Sequence, residues 1–209
     1  MDHESIRIIL DEHAALVATL QSLRVMVERG PGDEPDKFFE VLRAMLFYID
    51  EFPGRDHDYK ESELLFPPVA RLAPHLKGVI ARMEHDHAYA EAAVRELLHL
   101  LMAWELLGET RRATFEQSAS HYVEFFLDHL RLEEQVIIPE AQKVLTDADW
   151  KALDAAFATH CDPLTGKYPR DAGYDRLYAR IVMKAPAPIA LAPAAAEAGD
   201  GDIGWQRAG

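Results

Sequence analysis

"HDYKESELLFP" occupies residues 57–67, and "HLRLEEQVIIP" occupies residues 129–139. Each stretch opens on His, carries Glu four residues later, runs through three consecutive apolar residues and ends on Pro. Residues four apart on a helix share a face, with Cβ atoms about 5–6 Å apart. His57 and Glu61 therefore point together, as do His129 and Glu133. Around the second pair, Phe125, Phe126, Val136 and Ile137 mark a core-facing stripe. A buried carboxylate is costly unless a positive charge compensates it. No Lys or Arg falls on the core positions of these stripes, so the expected compensation is a metal cation.

Moving outward, the rest of the chain divides into two similar halves. Relative to His13, apolar residues fall at Ile6, Ile9, Leu16, Leu20, Leu23 and Val27. Relative to His87, the same six offsets hold Ile80, Met83, Ala90, Val94, Leu97 and Leu101. His85 would keep the 72-residue offset of the other motif, but its register places Arg95 and His99 on the core stripe. His87 is thus the counterpart of His13. Each half then supplies one His from its first helix and a His-x-x-x-Glu from its second. The expected metal ligands are His13, His57, Glu61, His87, His129 and Glu133. Six ligands would saturate one ion, whereas two ions sharing both Glu leave room for a solvent bridge and an exogenous ligand. Imidazole with carboxylate suits iron, and also manganese, zinc or copper.

Period-3.6 patterning gives five helical segments: from about Ser5 to Arg29, from Asp36 with a break at Pro53-Gly54 and resumption through Phe66, from His75 to Leu107, from Thr110 to Val144 with a bend near Pro139, and a short one opened by the N-cap signal "TDADW" (146–150) and ending near Thr159. No alternating β pattern occurs. Long helices joined by short turns predict an all-α fold, an antiparallel up-down-up-down four-helix bundle with a short fifth helix. Residues 1–160 are read as the bundle domain. Residues 161–209 are read as an extension, partly docked through Ile189 and Leu191 and then a mostly irregular Ala/Pro/Gly-rich tail.

At these residues the sequence resembles the hemerythrin-like family of His–His–Glu (HHE) cation-binding domains, over roughly residues 1–145. That resemblance implies a four-helix bundle around a non-haem di-iron centre, two iron ions bridged by two carboxylates and an oxo or hydroxo group. It implies binding of O2, sensing of oxygen or iron, or stress repair of nitrosatively damaged iron–sulfur clusters. Oxygen-carrying members have a fifth His and an Asp on their last helices, without a clean counterpart here. Many bacterial relatives place a second His where this chain has Asp58, which is read as solvent-facing, with an oxygen ligand as the alternative. Cluster-repair members carry a separate Cys-containing N-terminal domain, and the 12 residues before His13 hold none.

The remaining candidates lie beside the ligands rather than on the metal. His85 and Glu91 are read as exposed or adjacent to the site, and Tyr59 and Tyr122 as core or pocket wall. His3, His75, His99, His121 and His160 lack repeat partners. The single Cys161 excludes an internal disulfide framework and a Cys-based zinc site. A net charge of -14 disfavours nucleic acid or an anionic membrane as partner. No signal peptide or membrane span is visible, so a cytoplasmic location is expected. The His-rich donor set favours reversible binding of O2, NO or another small ligand, or iron sensing, over turnover. The catalytic alternatives are peroxide or NO reduction, ferroxidase activity, or iron delivery.

Overall fold

A computed structural model describes residues 3–159, 162–165 and 175–186. Every regular element among them is helical. Helix α1 spans Glu4–Arg29 and ends at Gly30, whose φ of 69° is open to glycine at little cost. Its first turn is capped from a distance. Asp154 Oδ1 accepts from the Ser5 backbone N–H at 2.8 Å and from the Ser5 hydroxyl at 2.6 Å.

Helix α2 (Pro35–Glu51) does not break at Pro53-Gly54 as the sequence suggests. It widens into a π turn, Pro53–His57, followed by α3 (Asp58–Lys60), a second π turn, Glu61–Leu65, and α4 (Phe66–Leu72). Likewise α6 (Arg112–Leu132) passes through a π turn, Glu133–Ile137, into α7 (Ile138–Val144). The turns at Glu61 and Glu133 share one cause. Pro67 and Pro139 lack a backbone N–H, and a proline ring crowds the carbonyl four residues back. The chain opens instead, so that the Phe66 N–H donates to the Glu61 carbonyl and the Ile138 N–H to the Glu133 carbonyl, each five residues back. Both candidate carboxylates thus begin a π turn.

Between these runs lies α5 (Lys77–Leu107), closed by Gly108 at φ 86°. Helix α8 (Asp147–Phe157) starts where the sequence places it, with Thr146 and Asp149 forming a capping box. Helix α9 (Asp175–Lys184) is an addition to the five segments read from the sequence. It packs on α2, burying Ile181, while Arg180 and Lys184 pair with Glu40 at 2.8 and 2.9 Å. Residues 160–161, Ile189 and Leu191 lie outside the described residues.

The buried apolar side chains form two clusters. One contains Leu16, Leu20, Leu42, Met45, Val94, Leu101, Trp104 and Phe126. The other contains Ile6, Ile9, Leu65, Phe66, Ile80, Met83, Ile137 and Trp150. Along α1 and α5 the chain passes from the second cluster to the first; from α2 into α4, and from α6 into α7, it passes back. All six candidate ligands fall at the crossing between clusters. All twelve apolar positions that matched His13 to His87 are buried. No helix among the described residues is long and apolar enough to cross a membrane.

Candidate metal centre

His13 on α1, His57 closing the first π turn, Glu61 opening the second, His87 on α5, His129 on α6 and Glu133 opening the third π turn are all buried. The imidazoles form two pairs, one from each half of the chain. The rings of His13 and His57 are 5.0 Å apart, with Nε2 atoms 3.1 Å apart. Those of His87 and His129 are 4.9 Å apart. Glu61 lies between the pairs. Its Oε1 is 2.8 Å from His57 Nε2 and 3.8 Å from His13 Nε2, while its Oε2 is 3.5 Å from His87 Nε2. Glu133 reaches into the other half, with Oε2 3.5 Å from His13 Nε2. Donor atoms of His13, His57, Glu61 and Glu133 all lie within 4.8 Å of one another.

This polar layer is not satisfied by protein. Both oxygens of Glu61 and of Glu133, and Nε2 of His87, are buried without an aligned hydrogen-bond partner, although imidazole nitrogens stand near the carboxylates. Orphaned buried groups of this kind cost about 1–3 kcal/mol each, more when charged. A mixed set of imidazole nitrogens and carboxylate oxygens converging on one space fits a cation that would satisfy them together.

Charge in the layer is divided unevenly. Burial opposes ionisation of Glu61, yet the His57 charge and the contacts from His13 and His57 outweigh it and hold its carboxyl well below the usual range. For Glu133, burial and the neighbouring Glu61 charge push the carboxyl up to about 7. Burial also disfavours charge on His13, but Glu133, with help from Glu134 and Glu61, raises it well above the usual imidazole value. His57 is raised likewise against burial, by Glu61 and Glu12. Burial lowers His87 to about 4 and lowers His129. The raised imidazoles of His13 and His57 offset only part of this buried acid, because their Nε2 atoms, 3.1 Å apart, have room for one proton between them.

The outward-facing Nδ1 atoms reveal residues that sequence reasoning missed. His57 Nδ1–H donates to Glu12 Oε2 at 2.8 Å, and His13 Nδ1–H donates to Glu134 Oε1 at 2.9 Å. A carboxylate only accepts, so these contacts fix the tautomer and leave Nε2 for a ligand. His87 Nδ1 is 3.1 Å from Ser62 Oγ. His129 Nδ1 is 3.7 Å from Asp86 Oδ2, too long for a hydrogen bond. The four partners follow one rule. The residue before each first-helix His (Glu12, Asp86) faces the second-helix His of the same half. The residue after each Glu (Ser62, Glu134) faces the first-helix His of the opposite half. The acid–His dipeptides at 12–13 and 86–87 were the legible signal.

Other expected neighbours divide. Asp58 is buried, at 5% exposure, which corrects its reading as solvent-facing. π turns on both sides of it shift the helical phase, so a 3.6-residue period misplaces it. Its donor atoms lie within 4.8 Å of those of Glu61 and His87, and burial raises its carboxyl well above the usual range. Tyr122 is buried and lines a cavity of about 10 Å³ with Asp58, Asp50 and Phe126. Tyr59 is 62% exposed and so forms no pocket wall. His85 is exposed, and Glu91 is exposed and paired with Arg95 at 2.6 Å. His3 stacks on Trp150, and His75, His99 and His121 are exposed. A second cavity of about 10 Å³, room for about one water-sized molecule, abuts the first imidazole pair and is lined by Glu12, His13, Phe52, His57 and Asp162. Asp162 closes this side. Its backbone N–H donates to Glu12 Oε1 at 3.0 Å, and its carboxylate accepts from the Leu164 N–H and from the Tyr48 hydroxyl.

An all-helical protein that buries an uncompensated layer of imidazoles and carboxylates between two apolar clusters is of the metal-binding class. More narrowly, the family model of the hemerythrin HHE cation binding domain matches residues 4–141, and the chain belongs to that family. No curated protein matches the chain. The region from α8 onward lies beyond the matched residues.

Proposed function

We propose that the chain is a non-haem di-iron protein that binds or senses O2, NO or iron, without turnover. The observation that carries this reading is the position of Glu61, whose two oxygens face different imidazole pairs. The alternating passage of four helical runs between the apolar clusters supports an up-down-up-down four-helix bundle as the frame. His13 and His57 would hold one ion, His87 and His129 the other, with Glu61 and Glu133 shared. Iron bound there would supply a ferrous–ferric couple and an open position for a diatomic ligand.

The chain's own residues supply the rest. The two apolar clusters keep bulk water from the layer, which strengthens every charge interaction in it. Glu12 and Glu134 orient the first imidazole pair. The small cavity beside His13 and His57 admits a water-sized molecule and little more. Neutral imidazoles make a centre less electron-rich than an all-carboxylate one, which favours reversible binding over O–O cleavage. The test is metal analysis of protein purified from its host, then anaerobic reconstitution with Fe(II), exposure to O2 and flushing with argon. About two irons per chain and recovery of the ferrous spectrum are expected. A permanently oxidised centre, or turnover with peroxide or NO abolished by Glu61→Ala, would replace this reading with the catalytic one.

A further inference from the structure

The repeat that built the centre is imperfect, and both imperfections fall on one side. In the first pair, His57 is backed by Glu12 and His13 by Glu134, with bonds of 2.8 and 2.9 Å to full carboxylates. In the second pair, the counterpart of Glu12 is Asp86. It is one methylene shorter, stands 3.7 Å from His129, and is also 3.5 Å from Arg82. The counterpart of Glu134 is Ser62, a neutral hydroxyl against His87. A carboxylate on the far nitrogen of an imidazole raises its basicity as a ligand and fixes its orientation. The first side also holds four donors already gathered within 4.8 Å, against three for Asp58, Glu61 and His87.

We propose that the two halves hold cations unequally, the His13–His57 half the more tightly, with Glu12 and Glu134 as the positioning residues that make the difference. This rests on the two-ion reading above. Glu12 is itself held: its second oxygen accepts the Asp162 backbone N–H, so a segment beyond the family match supports the tighter half. Asp58 is the one group acting the other way. Its donor atom lies within 4.8 Å of those of Glu61 and His87, so it adds an oxygen donor on that side without backing either imidazole there.

The test uses the full chain, metal-free and labelled with 15N at histidine, titrated with Zn(II) alone. Signals are assigned by single His substitutions. The first equivalent should shift His13 and His57, and the second His87 and His129. Glu12→Gln and Glu134→Gln should each weaken the first event by about 10–100-fold and leave the second within a few fold. Asp58→Asn should weaken only the second event. Ser62→Glu should strengthen the second event by up to about 10-fold, a gain that a purely structural role would not produce. Simultaneous shifts of all four imidazoles, or His87 and His129 moving first, would overturn the proposal, as would equal weakening of both events by Glu12→Gln. Failure of any imidazole to respond would overturn the two-ion reading beneath it.

Discussion

Replacing Glu133 by Gln should push the metal-free and metal-loaded proteins in opposite directions. In the metal-free chain, burial and Glu61 move the Glu133 carboxyl from its usual 4.5 to about 7. At roughly 1.4 kcal/mol per pH unit, ionised Glu133 costs about 3 kcal/mol at pH 8. A buried Gln amide without good partners costs about 1–3 kcal/mol in its place. The metal-free variant should therefore be about 0–2 kcal/mol more stable than the parent. For a chain of this length that is a rise of up to about 4–8 °C in Tm. With Zn(II) at 100 times Kd, the parent should gain about 2.7 kcal/mol per site. A variant weakened about 100-fold would gain about 0.4 kcal/mol at the same concentration. Calorimetric melting at pH 8, with chelator and then with Zn(II), reads both effects. A metal-free variant less stable than the parent, or one that keeps the full Zn(II) shift, would refute the idea that cations neutralise this acid.

Stability of the metal-free protein should fall as pH rises from about 6.5. His13 and His57 are raised above their unfolded value of about 6.5, so the folded chain holds more protons than the unfolded chain from there upward, whereas Glu133 and Asp162, raised to about 7, lose most of their contribution below this window. The opposing contribution of His87, lowered to about 4, is complete by about pH 6.5. Urea melts from pH 6.5 to 9 with chelator should show this fall, and saturating Zn(II) should abolish it. His85→Ala should leave Zn(II) stoichiometry unchanged and stability within about 0.5 kcal/mol, whereas His87→Ala should remove an imidazole response to Zn(II) by NMR. Thr146→Ala should cost about 1 kcal/mol by loss of the capping box, measured by denaturant unfolding.

The helices and the six central residues were legible because two independent periodicities constrain them. A six-position register picks buried His87 over exposed His85, even though the spacing of the other motif points to His85. What sequence reading missed lies one residue away from four of the six ligands. Glu12, Ser62, Asp86 and Glu134 resemble ordinary charged or polar residues at the edge of a helical stripe. Only the three-dimensional arrangement shows that each serves a histidine on another helix. Asp58 is hard to place from sequence for a different reason: π turns on both sides of it shift the helical phase. In α9, Leu177 and Ile181 are spaced for one apolar face, but the segment is short and borders the Ala/Pro-rich stretch, so its periodicity is too brief to mark a helix.

The crossed hydrogen bonds carry a consequence for ancestry. His13 depends on Glu134 from the second half, and His87 on Ser62 from the first. A single helical hairpin of this kind would leave one imidazole unsupported and would be completed by a second copy of itself. The chain therefore has the plan of a symmetric homodimer fused end to end. Ser62 and Asp86 are the positions where its two halves depart from that symmetry.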